Sequence, residues 1–275
     1  MRLVSELMFD VEDKTVLVVG GRGRLGRSFC SALAKSGAKV ISADLPDQTT
    51  SAEEAEHANI EQKDVDVRDE SSIKALVEGM VQQYEGIDVL IYSVTTKTDD
   101  SYQAYTDVSI DGWRKIINIE LDGLFLLTQE VGRVMERQRA GAMIFISSIY
   151  GLVGNDHRIY QNSNLGDVYN PDGKESSRIC SPAVYNVVKA GVISLSRYLA
   201  AYWGEVGIRV NCISPGGIAH PSENDEFVKQ YSNRVPLARK ARLDEIDGAV
   251  LYLASDSSSY VTGHNLVVDG GWTIW

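Results

Sequence analysis

Cysteine is scarce in this chain. Three occur in 275 residues, at Cys30, Cys180 and Cys212, odd in number and widely spaced. They offer neither a disulfide framework nor metal-ligand spacing, which suits a reducing compartment. Basic residues are also in deficit, with 27 Lys and Arg against 38 Asp and Glu and a net charge of −11. No basic stripe emerges, which argues against nucleic acid as a partner and against docking on anionic membranes. No uninterrupted apolar run reaches the length that spans a bilayer. No Pro/Ser-rich linker divides the chain, and no internal repeat is present. The opening MRLVSELMFD is broken by charges, unlike a secretory leader, so the cytoplasm is the expected compartment.

The remaining composition, 44% hydrophobic and 24% charged, suits one compact domain over residues 1–275 with a substantial core. Short apolar runs at 16–19, 39–43, 89–92, 143–147, 209–213 and 265–268 read as strands. Segments of helical period at 25–36, 71–84, 111–137, 182–203 and 244–254 lie between them. That alternation implies βαβ units and an α/β, Rossmann-like, doubly wound parallel sheet with helices on both faces. Two stretches break the rhythm, at 150–181 and 216–242, and loops of that length are usually functional.

The stretch VLVVGGRGRLG, from Val16 to Gly26, runs from a strand through a glycine-rich turn into a helix. Gly20 permits the tight turn, Gly23 the approach of a pyrophosphate, and Gly26 the close packing of helix on strand. The helix N-terminus, at Arg24 and Leu25, supplies N–H donors. Asp44 follows just after the second strand, where a carboxylate accepts from an adenine-ribose diol and repels a 2′-phosphate. Arg22 and Arg24 pull the other way, since a basic side chain here can meet a 2′-phosphate. Desolvating the unpaired Asp44 carboxylate beside a phosphate is the larger cost, so NAD is expected rather than NADP.

Tyr185 and Lys189 in SPAVYNVVKAGVISL stand one helical turn apart and share a helix face. A phenol is a poor acid–base group near neutrality, and a nearby ammonium favours its phenolate. On spacing alone the pair also fits a solvated surface.

With the motifs taken in order, the whole chain resembles the short-chain dehydrogenase/reductase family. They are the glycine-rich turn, Asp66-Val67, Ser147-Ser148, Tyr185-x-x-x-Lys189, Asn211 through Ser214-Pro215-Gly216, and TGHNLVVDGG from Thr262 to Gly271. The resemblance implies that Ser148 hydrogen-bonds the substrate oxygen and Tyr185 exchanges its proton. Lys189 would hold the nicotinamide ribose and keep Tyr185 acidic. Asp66 and Val67 would hold the adenine ring, and the Pro215, Gly216 and Ile218 backbone would grip the carboxamide. Two departures stand out. Where the family has Asn-Asn-Ala-Gly after the fourth strand, this chain has Tyr92, Ser93, Val94 and Thr95, and Ser93 is still expected to line the cofactor. Where the family keeps a catalytic Asn, this chain has Glu120. That Glu is expected either to hold the relay water or to pair with Lys189, unless it is merely a polar helix residue. A Thr of the family pattern is replaced around His220.

The gap between Ser148 and Tyr185 is much longer than the family's usual one. The extra chain, from Tyr150 to Cys180, carries His157, Arg158, Tyr160, Asn162, Asn164, Tyr169 and Lys174. It is expected to form a polar lid, with Tyr150, His157 and Arg158 as substrate contacts, or else a solvated excursion or subunit contact. This stretch and the ending VVDGGWTIW resemble the flagellin-modification and sugar-biosynthesis oxidoreductases, which implies a sugar-like substrate. Arg234, Arg239, Lys240 and Arg242 are then candidate phosphate contacts, or surface partners of Asp244 and Glu245. A homodimer or homotetramer is implied, through helices 111–137 and 182–203, with the tail at residues 272–275 as a further interface candidate. The expected function is NAD-dependent interconversion of a secondary alcohol and a ketone. The alternatives are a silent NAD-binding regulator or scaffold, and a sugar epimerase or dehydratase.

Overall fold

The computed structural model describes residues 9–46, 48, 59–172 and 181–275. Its sheet starts from the apolar run TVLVV, β1 (Thr15–Val19), in which every residue is buried. Alternate side chains of a strand point to opposite faces, and here both faces are covered. Leu17 and Val19 join one core layer, Val16 and Val18 the other. The other strands are β2 (Lys39–Asp44), β3 (Ile60–Asp64), β4 (Val89–Tyr92), β5 (Gly141–Ile146), β6 (Ile208–Pro215) and β7 (Asn265–Val268). Among the described residues the sheet has seven strands in the order β3-β2-β1-β4-β5-β6-β7, and every pairing is parallel. This is the doubly wound α/β sheet expected from the sequence.

Helices α1 (Arg24–Lys35) and α8 (Asp247–Ala254) cover one face. On the other lie α2 (Glu70–Tyr84), α3 (Ile110–Ile117), α4 (Gly123–Gln138) and α6 (Ala183–Trp203). Two short helices, α5 (Leu165–Tyr169) and α7 (Asp225–Ser232), sit within the two long connecting segments. β1 is flanked by β2 on one side and β4 on the other, so the winding reverses between β1 and β4. In such sheets ligands bind beyond the carboxyl ends of the strands at the reversal.

Three elements differ from the sequence reading. β3, IEQKD, is an edge strand of polar and half-buried side chains, so it has no apolar run to announce it. The helix expected over 111–137 is two α-helices joined by a π-helical turn, Asn118–Asp122. The segment expected as helix 244–254 begins with a 3-10 turn, Leu243–Ile246, before α8. The long segments are folded onto each other: Ile149, Ile159, Tyr160 and Leu165 pack with Phe227, Tyr231, Val235 and Trp272 in a third apolar cluster. Trp272 of the tail is therefore buried, while Ile274 and Trp275 remain exposed. Lys174 and Cys180 lie outside the described residues. Among those residues no helix is long and apolar enough to cross a membrane.

Candidate active site

A cavity of about 370 Å³ opens beyond the carboxyl ends of β1, β4, β5 and β6, and runs from Gly23 to Ser148, Tyr185 and Lys189. At its first end, Gly20 adopts φ +81°, and a Cβ there would lie 2.7 Å from the Ser93 carbonyl carbon. Only glycine lets the turn come this close to β4. Helix α1 begins at Gly23 with no side-chain cap and no acidic residue in its first turn. Its leading N–H donors are left for an anion, which is the chemistry a pyrophosphate needs. Asp44 closes the end of β2, accepting from the Arg22 N–H at 3.1 Å and from the Leu45 N–H at 2.9 Å.

Arg22 is turned away from this space. Its guanidinium donates to Gln62 Oε1 (3.0 Å), the Leu45 carbonyl (2.8 Å) and Asp64 Oδ1 (2.8 Å), beside β3. Arg24 lines the cavity and donates to the Ala219 carbonyl, across the site. Asp66 is held by Arg68, whose hydrogen bonds lower the Asp66 pKa against the opposing effect of burial. Val67 is buried against Gly123. Ser93, Pro215, Gly216 and Ile218 all line the cavity. Of the residues expected to hold a dinucleotide, Gly23, Arg24, Leu25, Ser93, Pro215, Gly216 and Ile218 line the cavity, whereas Gly20, Gly26, Asp44, Asp66 and Val67 are not among its lining.

At the other end, Ser148 lies just beyond β5, buried, with its Oγ accepting from the Tyr150 N–H at 3.2 Å. Tyr185 and Lys189 face the same cavity from the first two turns of α6. Ser147 Oγ donates to the Lys189 carbonyl at 2.7 Å, and Gly151 packs against the same peptide, where a Cβ would come within 2.7 Å. These contacts seat α6 on the end of β5 and set the Ser148–Tyr185–Lys189 grouping. The Lys189 ammonium lies 5.4 Å from the centre of the Tyr185 ring.

Glu120 is buried in the π turn, and its Oε2 lies 3.0 Å from Lys189 Nζ. Its Oε1 accepts from Thr95 Oγ1 (3.1 Å) and from the Thr96 N–H (2.9 Å). Of the three readings weighed for Glu120, direct pairing with Lys189 is the geometry observed. Burial pushes the Lys189 pKa down, but the charges of Glu120 and Tyr185 and the hydrogen bonding to Glu120 outweigh it, and the net shift is upward. Tyr92, at the family's Asn position, donates its phenol to the Ile119 carbonyl at 2.8 Å. It thereby satisfies a backbone acceptor of the π turn. Burial, and then the Glu120 charge, raise the Tyr92 pKa.

The other end of the cavity is lined by stacked aromatic rings. Tyr150 and Tyr160 share a hydrogen bond of 2.8 Å, Tyr160 stacks on Phe227, and Tyr231 stacks on Trp272 at 4.5 Å. Beneath them Lys240, buried, pairs with buried Glu223, which also accepts from Tyr169 Oη at 2.8 Å. Of the expected substrate contacts Tyr150 lines the cavity, whereas His157 and Arg158 are exposed and lie outside it. Arg158 is tied to Asp156 at 2.8 and 3.0 Å. Arg158 keeps its own charge in water, while Ile159 and Tyr160 turn inward.

The candidate phosphate contacts resolve into ion pairs. Arg234 pairs with Asp156, Arg239 with Glu245, and Arg242 with Asp244 and Glu245. Asn164 joins the two long segments, donating to the Ser222 carbonyl (2.7 Å) and accepting from the Asn224 N–H (2.9 Å). His220 packs its ring 5.6 Å from that of Tyr169. Sequence reading did not single out Thr96, Lys97, Tyr102, Phe227 or Tyr231, all of which shape this site. The placement of Thr96 and Lys97 just after β4 is a usable signal, because strand ends at the reversal face the ligand.

The short chain dehydrogenase family model matches residues 14–163, and the model described as enoyl-(acyl carrier protein) reductase matches residues 174–273. A trans-4-hydroxycyclohexanecarboxylate dehydrogenase of Sinomonas cyclohexanicum is 34% identical over 98% of this chain and 96% of its own. A post-translational flagellin modification protein A of Campylobacter coli is 29% identical over 95% of this chain and 99% of its own. A crystal structure of a short chain dehydrogenase from Leptospira borgpetersenii with bound NAD+ superposes with a TM-score of 0.85. It is 30% identical and covers 99% of this chain and 98% of that one. The folded arrangement and these relatives agree, and the chain belongs to the short-chain dehydrogenase/reductase family, as an oxidoreductase acting on CH–OH groups.

Proposed function

We propose that this protein is an NAD-dependent oxidoreductase that interconverts a secondary alcohol and a ketone on a polar, sugar-like substrate. One observation carries the reading: Ser148, Tyr185 and Lys189 share a cavity with the uncapped glycine turn of α1. A bound nicotinamide accepts or supplies the hydride at the reacting carbon. Ser148 orients the substrate oxygen, and Tyr185 takes its proton in oxidation or returns it in reduction. Lys189 keeps positive charge beside the phenol, and Glu120 holds that lysine in place from the far side. Arg22 is engaged along β3 and not free for a 2′-phosphate, which together with Asp44 favours NAD. Tyr150 lines the substrate end, and the tyrosine hydroxyls around it suit a hydroxylated substrate.

Assembly as a homodimer or homotetramer belongs to the same proposal. Phe125 on α4 and Val187, Tyr198 and Tyr202 on α6 are large exposed apolar side chains, of the kind that subunit interfaces cover. The Glu120–Lys189 pair favours one other reading, a dinucleotide-binding protein without turnover, because it weakens the pull of Lys189 on Tyr185. Incubating the protein with NAD and a panel of polyols and sugars, and following reduced nicotinamide by absorbance, decides between them. Net reduction that Tyr185→Phe removes is the expected result. Cofactor binding with no conversion of any alcohol rejects the proposal.

A further inference from the structure

We propose that Lys97 is the charge contact for the substrate, which is a hydroxy acid or its oxo acid with its carboxylate on the Lys97 ammonium. The assignment rests on the oxidoreductase reading above and adds the substrate class to it. Lys97 follows Thr96, the residue whose N–H holds Glu120, and lines the same cavity as Ser148 and Tyr185. Its ammonium lies 4.7 Å from the centre of the Tyr169 ring and 5.8 Å from that of Tyr102. It donates to the Tyr169 carbonyl. An ammonium has three donors, and that carbonyl is the one acceptor it has among the described residues.

The other cations of the cavity are placed differently. Lys189 pairs with Glu120 and Lys240 with Glu223. Arg24 rises from the first turn of α1, where a pyrophosphate is expected, and donates to the Ala219 carbonyl across the site, its charge reaching Tyr169 and Lys240. Among the described residues Lys97 is the cavity's lysine with no carboxylate in ion-pair contact. The nearest acidic influence is Glu120, already committed to Lys189 and Thr96.

A part-buried cation between two aromatic rings is stabilised by an anion that enters with it. Burial accordingly holds the Lys97 pKa down to about 8, although the Glu120 charge acts to raise it. One positive charge with two donors to spare matches a carboxylate. A phosphate dianion calls for more donors and more charge.

The test uses the full-length protein saturated with NAD+. Calorimetry measures the binding of D-gluconate against D-gluconamide, of 3-hydroxybutyrate against 3-hydroxybutyramide, and of D-glucitol 6-phosphate. At least one acid is expected to bind about tenfold or more tightly than its amide, and more tightly than the phosphate ester. Lys97→Gln, which keeps a donor for the Tyr169 carbonyl but loses the charge, is expected to bring the acid-to-amide ratio close to unity. Lys97→Arg is expected to retain it within a few-fold. A role limited to holding the insertion would weaken acid and amide alike and leave the ratio unchanged, which overturns the proposal. So does a phosphate ester that binds best, or acids no tighter than their amides. Tyr185-dependent oxidation of neutral alcohols with no acid preference removes the Lys97 assignment and leaves the oxidoreductase reading standing. No Tyr185-dependent hydride transfer from any alcohol removes both.

Discussion

Lys189 and Glu120 are both almost excluded from solvent and 3.0 Å apart, so removing one charge strands the other. Glu120→Gln is expected to lower stability by about 3–5 kcal/mol, read by urea denaturation. The pair also sets a pH dependence. The folded Lys189 pKa is raised, so its contribution is fully present below the unfolded lysine value. It is lost as pH rises through the folded one. Glu120→Gln removes the chief influence that raises it, and the alkaline limb of the kcat/KM profile should move to lower pH. An unchanged limb would show that Lys189 does not depend on Glu120. At Asp44 the expectation concerns cofactor choice: Asp44→Ala should narrow the preference for NAD over NADP by roughly tenfold, measured as the ratio of the two Kd values. The Tyr185/Lys189 spacing was legible because a helical period suffices to put both on one face. The pairing of Glu120 with Lys189 was legible only as one of three readings, because the π turn that carries Glu120 leaves no mark in the sequence.

That turn spans Asn118–Asp122. A π turn leaves the regular hydrogen-bond ladder, and the Ile119 carbonyl accepts from the Tyr92 phenol. Tyr92→Phe should therefore cost about 1–3 kcal/mol, the penalty for an unsatisfied buried acceptor, measured by chemical denaturation. If stability is unchanged, the phenol does not brace the turn. Nothing in NIELD forecasts the irregularity, since it contains neither proline nor glycine; it depends on a tyrosine from another element. β3 escaped notice for a different reason: its side chains are only half covered, so no hydrophobic period was selected. β1, β2, β4, β5 and β6 were readable because burial on both faces leaves continuous apolar runs, and half-covered β7 still kept the apolar run LVV.

For the molecule as a whole, acid titration offers a test of the folded charge arrangement. Asp156 is held near 2 by hydrogen bonds from Arg158, against the effect of burial. Burial pushes Asp100 up, but hydrogen bonds from Ser109 and Thr98 outweigh it and bring it to about 2. Carboxylates with lowered pKa stabilise the fold above their unfolded values and lose that contribution as pH falls. The urea midpoint should accordingly drop between about pH 4 and pH 2, and Asp100→Asn should flatten the drop. The alternation of strands and helices was legible along the chain. The inward face of the 150–181 segment was not, since Ile159, Tyr160 and Leu165 are spaced too irregularly to show a period. They become a surface only once α7 and Trp272 close against them.

The stacking of Trp272 on Tyr231, which lines the cavity, makes the indole an optical reporter one ring removed from whatever fills that space. Ligand entry should register as a change in tryptophan emission without any dye, and Trp272→Phe should silence the signal while Trp113 and Trp203 still emit.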